Sequence, residues 1–234
     1  MAQNDFDYAG KTPENSQQKC PVVFILDVSG SMVGAPINEL NKGLQAFKSA
    51  IQNDSTAAAR LDVAVVSFDS ETRVEHDFGL INNDYQMPVL ESRGSTAMVD
   101  AVRMGLQLID GRKKWYKSSG QTYYRPYVIL ITDGYPDPNQ DIEGLAAEIK
   151  KGTTNKAYNF WPIAVEGADT SVLDKWAQPG AGGCLPTMKL NGFKFEDLFN
   201  WLSNSFTKIS NSRQGDDTDL TPTKENNPFM IKID

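Results

Sequence analysis

Three observations predict an α/β fold with a mostly parallel sheet and helices on both of its faces. Continuous apolar runs rich in β-branched residues recur along the chain, VVFILDV at 22–28, LDVAVVSF at 61–68 and YVILIT at 127–132; such runs mark strands buried on both faces. Segments with apolar residues at three- and four-residue steps lie between them, the spacing of amphipathic helices. Strands alternating with helices then imply a parallel sheet covered on both sides.

Val22–Val28 is the first strand. After a turn at Ser29–Gly34, Ile37, Leu40, Leu44, Phe47 and Ile51 form one helix face, and Pro36 suits that helix's first turn. Leu61–Phe68 and Thr72–Phe78 are the next two strands. The Asp69-Ser70-Glu71 link between them is too short for a crossover, so they pair as a hairpin and give the sheet one antiparallel edge strand. Met98–Ile109 reads as a helix through Val102, Leu106 and Ile109, and Lys113–Arg125 as a basic, aromatic surface loop. Tyr127–Thr132 is a buried strand closed by Asp133-Gly134. Ile142–Lys150 follows as a helix, Asn159–Val165 as a strand, Val172–Ala177 as a short helix and Leu185–Leu190 as an edge strand. Phe195–Ile209 is the last amphipathic helix, through Leu198, Phe199, Leu202 and Phe206. The expected organisation is a polar arm at 1–19, one domain at 20–212, and a polar tail at 213–234 with an apolar PFMIKI near its end.

The chain has 234 residues, 40% of them apolar, so a single core can form without a disulfide scaffold. Its two cysteines exclude a Cys-rich framework or a Cys-built zinc ribbon. With 23 Lys+Arg against 30 Asp+Glu the net charge is −7, which argues against a nucleic-acid or anionic-membrane partner. No apolar stretch approaches the roughly 20 residues that span a bilayer. The opening MAQNDFDYAGKTPENSQQKC lacks the basic start and apolar run of a signal peptide. A soluble, cytoplasmic protein is expected.

In a parallel sheet the ligand sits at the carboxyl ends of the strands, where the chain direction of connection reverses. The first strand ends in Asp27-Val28-Ser29-Gly30-Ser31, and in extended chain Asp27, Ser29 and Ser31 face one way. A second carboxylate, Asp133, follows Thr132 at the same edge. Between them Arg93-Gly94-Ser95-Thr96-Ala97 delivers the Thr96 hydroxyl just before a helix. Every donor is an oxygen, which suits Mg²⁺, Mn²⁺ or Ca²⁺ better than zinc. Two carboxylates with three hydroxyls leave such a cation under-neutralised, with room for a visiting carboxylate.

Asp27-x-Ser29-x-Ser31 ending a buried strand, then Gly94-Ser95-Thr96, then Thr132-Asp133-Gly134, resembles the metal-ion-dependent adhesion site (MIDAS) of the von Willebrand factor A (VWA) family. The likeness covers roughly Pro21 to Ile209. Within that family CPVVFILDVSGSM, PINELN, RKKWYKSSGQTYYRPYVILITDGYPD and FKFEDLFNWLSNSF look like the bacterial tellurite-resistance, TerY-like group. The resemblance implies a Rossmann-like VWA fold and a single divalent cation, Mg²⁺ foremost, held by Asp27, Ser29, Ser31, Thr96 and Asp133. The serines and the threonine would bind directly, and the aspartates directly or through water. It also implies an adaptor without catalysis of its own, often encoded beside a protein kinase and a protein phosphatase, that grips an acidic residue of a partner protein. Two departures stand near the site: Ser95 where a second Gly is common, and Tyr135-Pro136-Asp137-Pro138 where an acidic residue and Pro-Thr are more usual.

Other residues read more plainly. Asp133, Asp137 and Asp141 do not have EF-hand spacing, and loop or helix-start acids are the favoured reading. His76, the single histidine, reads as a hairpin residue on the edge strand. Cys20 and Cys184 read as reduced thiols, and GAGG at 180–183 lacks the Gly-Lys-Ser/Thr of a phosphate loop. The patch Arg112–Lys117 with Tyr123, Tyr124 and Arg125 could stack bases, but structural anchoring with partner contact is preferred over RNA. The alternative function is a haloacid-dehalogenase-like phosphohydrolase with Asp27 as nucleophile. That chemistry needs a second carboxylate two residues on, and position 29 is Ser.

Overall fold

A computed structural model describes residues 11–165, 167–177, 184–211 and 230–232, the last three by their backbone alone. Its sheet has strands β1 (Cys20–Asp27), β2 (Leu61–Phe68), β3 (Thr72–Leu80), β4 (Tyr127–Thr132), β5 (Asn159–Ala164), β6 (Met188–Leu190) and β7 (Met230–Lys232), in the order β3-β2-β1-β4-β5-β6-β7. Strands β2, β1, β4, β5 and β6 run parallel, with β3 and β7 antiparallel at the two edges. The expected antiparallel hairpin is β2–β3. Sequence reading placed Leu185–Leu190 at an edge; β7 instead pairs with β6 and takes the outer position.

The helices are α1 (Ala35–Gln52), α2 (Ser55–Arg60), α3 (Met98–Ser119), α4 (Ile142–Thr154), α5 (Ser171–Trp176) and α6 (Phe195–Asn211). Alternation along β1 divides the core. Val22, Phe24 and Leu26 face α1 and α6, whereas Val23 and Ile25 face α3, α4 and α5. Phe24 packs edge-on against Phe47 and Phe199, with ring centroids 5.3 and 5.4 Å away. Helices α1 and α6 approach so closely that a Cβ on Gly43 would lie 2.7 Å from the Phe199 ring and 2.9 Å from the Phe195 carbonyl oxygen. The short α2 lacks apolar periodicity, and its start is set by the Asp54 carboxylate, which accepts from the Thr56 and Ala57 N–H groups.

The segment from Asn82 to Arg93 has no secondary structure of its own and runs along α1, held by amide side chains. Gln52 donates to the Asn82 carbonyl (2.6 Å). Asn41 pairs with both main-chain groups of Leu90, at 2.9 and 2.8 Å. This strap carries the chain from the end of β3 up to the loop that holds Thr96. On β3 the pairing with β2 slips between Val63 and Val66, and the strand carries Arg73, Glu75, His76 and Asp77. The His76 ring lies 4.0 Å from that of Tyr85, centroid to centroid, with the planes tilted by 31°, and its Nδ1–H donates to the Asp77 carbonyl.

The region expected as a loop from Lys113 is helix as far as Ser119, stopped by Gly120 in the left-handed conformation (φ 71°). The cause is tertiary. Arg112, Trp115 and Tyr116 are buried, Arg112 bonds Asp62 on β2 at 2.7 Å, and Tyr116 donates its hydroxyl to the same carboxylate oxygen. The guanidinium lies 4.1 Å over the Trp115 ring, and Tyr123 stacks on Tyr116 at 4.9 Å. These contacts anchor the end of α3 to β2. Residues 11–19, expected as part of a loose arm, are tied down: Lys19 N–H donates to Thr122 (2.9 Å), Tyr124 N–H to Lys19 (2.8 Å), and Trp115 Nε1–H to Lys11 (2.9 Å). The rest of that arm, 1–10, and the 213–234 tail other than β7 lie outside the described residues. No helix among the described residues is long and apolar enough to cross a membrane.

Removing the cation from the Asp62 pair would strand a fully buried carboxylate. Arg112→Ala is expected to destabilise the fold by about 3–5 kcal/mol, read as a lowered urea midpoint, whereas Lys114→Ala on the exposed face of α3 should leave that midpoint almost unmoved.

Candidate metal centre

β1 lies between β2 and β4, and the chain leaves it first toward β2 and later returns on the other side as β4. The crevice at this reversal is where Asp27 closes β1 and Asp133 follows β4. Asp27 is fully buried. Its Oδ1 accepts from Ser29 N–H at 2.9 Å and its Oδ2 from the Thr132 hydroxyl at 2.5 Å. Ser29 Oγ lies 3.0 Å from Ser31 Oγ, and Ser31 Oγ donates to Asp133 Oδ1 at 2.8 Å. Asp27, Ser29, Ser31 and Asp133 therefore form one hydrogen-bonded chain at the mouth of the crevice. Ser29 is buried and Ser31 exposed, so the chain leads from the interior to the surface.

Thr96 comes in differently. Its loop is docked on the first by Gly30 N–H to the Gly94 carbonyl (3.0 Å) and by Arg93 N–H to the Val28 carbonyl (2.8 Å), with the Ser92 hydroxyl donating to the Ser29 carbonyl. No hydrogen bond joins the Thr96 hydroxyl to the other four residues; its main chain is what the structure secures. Asp137, expected as a loop acid, and Gln140 do this. Asp137 Oδ2 accepts from Thr96 N–H (3.0 Å), Asp137 N–H donates to the Thr96 carbonyl (3.0 Å), and Gln140 Nε2 donates to that carbonyl at 2.6 Å. Asp141, the third acid of the loop, caps α4 and pairs with Arg103 at 2.7 Å. The three aspartates thus have separate jobs and do not converge.

The donors fit a hard divalent cation. All are oxygens, and no Lys, Arg or His lies within ion-pair distance of Asp27 or Asp133 among the described residues. Nor do three or more His, Cys, Asp or Glu side chains gather into a metal cluster there, so the set depends on hydroxyls. Burial pushes the Asp27 pKa up to about 6 against the opposing hydrogen bonds from Ser29 and Thr132, and burial also raises Asp133. A folded-state pKa above the unfolded value near 4 means that ionisation costs stability. The cost is absent below about pH 4 and complete above about pH 6.

Asp27→Asn should therefore stabilise the chelator-treated protein at pH 7–8 by about 1–3 kcal/mol. Its amide can still accept from Ser29 N–H, and its NH₂ can donate to the Thr132 oxygen. Thermal melts of both proteins from pH 4 to 8 should show the gap opening between pH 4 and 6 and closing at the acid end.

A sequence profile of the von Willebrand factor type A domain matches residues 22–200. No curated protein sequence matches the chain significantly. Among solved structures the chain is similar to the ArnB paralog VWA2 from Sulfolobus acidocaldarius, with TM-score 0.53, 15% identity, and 82% of this chain against 46% of that one. It is also similar to the pilus adhesin SpaC from Lactobacillus rhamnosus GG, with TM-score 0.64, 14% identity, and 85% against 31%. A third is the vWF domain of the type V pili tip protein Mfa5 from Porphyromonas gingivalis, with TM-score 0.52, 13% identity, and 86% against 98%. The chain spans less than half the length of the first two, and at these identities the likeness concerns the fold. The matched profile covers most of the chain and ends at α6, taking in the whole crevice: this protein belongs to the von Willebrand factor type A domain family.

Proposed function

We infer that the chain is a metal-dependent protein-interaction module, in which Asp27, Ser29, Ser31, Thr96 and Asp133 hold one divalent cation, Mg²⁺ foremost, with Mn²⁺ or Ca²⁺ as substitutes. The observation that carries this reading is the Asp27 carboxylate, buried at the end of the central strand without a cationic partner in reach among the described residues. A buried charge of this kind is normally paired or bound to metal. The cation supplies an under-neutralised positive centre that accepts a carboxylate, and the residues around it supply its orientation. Ser29 and Ser31 hold each other and Asp133 in line, Thr132 fixes the Asp27 carboxylate, and the loop after Gly134 and the Met32–Pro36 turn form the rim.

The partner is then a protein presenting an acidic side chain, and the chain is an adaptor and not itself an enzyme. Family membership supports this, since VWA domains commonly mediate protein–protein interactions. The finer reading places the chain in the cytoplasm, in the tellurite-resistance, TerY-like group, with a protein kinase and a phosphatase as partners. The group and its partners rest on the sequence stretches quoted above, RKKWYKSSGQTYYRP and FKFEDLFNWLSNSF foremost, and the compartment on the polar character of residues 1–20.

The test is thermal unfolding after EDTA treatment, titrated with Mg²⁺, Mn²⁺ and Ca²⁺ separately. A cation at 100 times its Kd should add about 2.7 kcal/mol, a rise of a few degrees for a domain of this size. Asp27→Ala should abolish the rise. A midpoint indifferent to all three cations would overturn the reading.

A further inference from the structure

We propose that Asp137 is a positioning residue for Thr96: together with Gln140 it brackets the Thr96 peptide from the loop after β4 and so fixes where the threonine hydroxyl stands. This rests on the reading of the crevice as a cation site. The middle loop offers three successive main-chain N–H groups, and each has its own partner. Ser95 N–H donates to Ser70 Oγ (2.9 Å), Thr96 N–H to Asp137 Oδ2 (3.0 Å) and Ala97 N–H to the Asp69 carbonyl (2.7 Å). Two of the three are held from the turn after β2; that of Thr96 is held from the far side of the crevice. The same side holds the Thr96 carbonyl, through Asp137 N–H and Gln140 Nε2. The peptide groups on either side of the Thr96 Cα are thus both gripped by residues of a single loop, and that loop also contributes Asp133.

The loop is built to hold still. Pro136 and Pro138 flank Asp137, which fixes φ on both sides and confines Tyr135 and Asp137 to extended conformations. Asn139 then turns the chain in the left-handed region (φ 70°), which brings Gln140 back to Thr96 and to Val99 N–H at 2.7 Å. At the far end Asp141 caps α4 and pairs with Arg103. One oxygen of this half-buried carboxylate, Oδ2, is committed to the Thr96 amide, and the proposed role is that contact and not the charge.

The full-length chain with Asp137→Ala or Asp137→Asn distinguishes this role from two others. Three quantities are read: the midpoint in EDTA, the apparent Mg²⁺ affinity from the midpoint titration, and exchange of the Thr96 amide proton by NMR in EDTA. Asp137→Ala should unprotect the Thr96 amide and weaken Mg²⁺ roughly 10- to 100-fold. Asp137→Asn retains an oxygen acceptor and should rescue both, to within a few-fold of wild type. If Asp137→Asn keeps the amide protected yet loses Mg²⁺ as the alanine variant does, the carboxylate acts by charge on the cation and the proposal is overturned. A protected Thr96 amide in Asp137→Ala, or an exposed one with unchanged affinity, overturns it as well. Gln140→Ala removes the bond to the Thr96 carbonyl together with that from Val99 N–H, and leaves the Asp137 bonds to Thr96 in place; it should weaken Mg²⁺ to a lesser degree, and serves if Asp137→Ala does not fold. A wild-type chain that ignores every cation would overturn the metal reading and Asp137's part in binding together. That outcome stands apart because it appears before any substitution is made.

Discussion

β1 is hydrogen-bonded to parallel neighbours on both sides and buried at every one of its eight residues. A strand in that position can carry no exposed chemistry along its length, so its first usable functional group is the one at which it stops. Asp27 is that residue. The neighbours β2 and β4 stand on opposite sides, and the loops that follow the three strands diverge around the Asp27 carboxylate and leave a crevice above it. The rest of the site follows from this geometry. Thr132 reaches Asp27 because β4 runs in register beside β1, and Ser31 reaches Asp133 because the first loop turns back over the strand end.

On the proposed cation reading, the arrangement opposes stability to function. Asp27 ionises only at a cost in the metal-free protein, and the hydrogen bonds from Ser29 and Thr132 recover part of that cost without cancelling it. A neutral side chain at this position would suit the fold better, as is common where a site needs a charge that its scaffold does not. At the amino end of the sheet the balance is struck otherwise. There the buried carboxylate of Asp62 has Arg112 and Tyr116 as built-in partners, and it serves to lock α3 onto β2.

What the sequence made legible were the parts governed by local pattern. The runs at 22–28, 61–68 and 127–132 are apolar because both faces of the sheet are covered, and the spacing in α1 and α6 follows from a single buried face. That Asp27 and Asp133 stand at one sheet edge was readable because the ends of buried strands are sequence properties. Ser29 and Ser31 come to the same place by a different route from the extended chain expected, since β1 stops at Asp27 and Gly30–Met32 is a 3-10 turn. The extension of α3 was not, since a helix turn containing Arg112 looks polar until Asp62, 50 residues away, is placed against it. Nor were Asp137 and Gln140, whose partners are the main-chain N–H and carbonyl of Thr96, 41 and 44 residues distant in the chain. Main-chain groups leave no trace in residue type. The only hint was the pair of prolines around Asp137, which announce a rigid turn but not what it touches. The strap from Asn82 to Arg93 was equally silent, because α1 binds it through amides on a face that looks merely polar.

The slipped pairing of β3 has a consequence for the protein among its own copies. An open, straight sheet edge is a template for another strand and a common start for aggregation. Here the outer strand is bent by its register shifts and studded with charges of both signs, and the opposite edge ends in a strand only three residues long. Among the described residues neither side presents a long, regular ladder for a second chain to extend. Self-association through strand exchange is discouraged along β3, where the sheet edge would otherwise be longest.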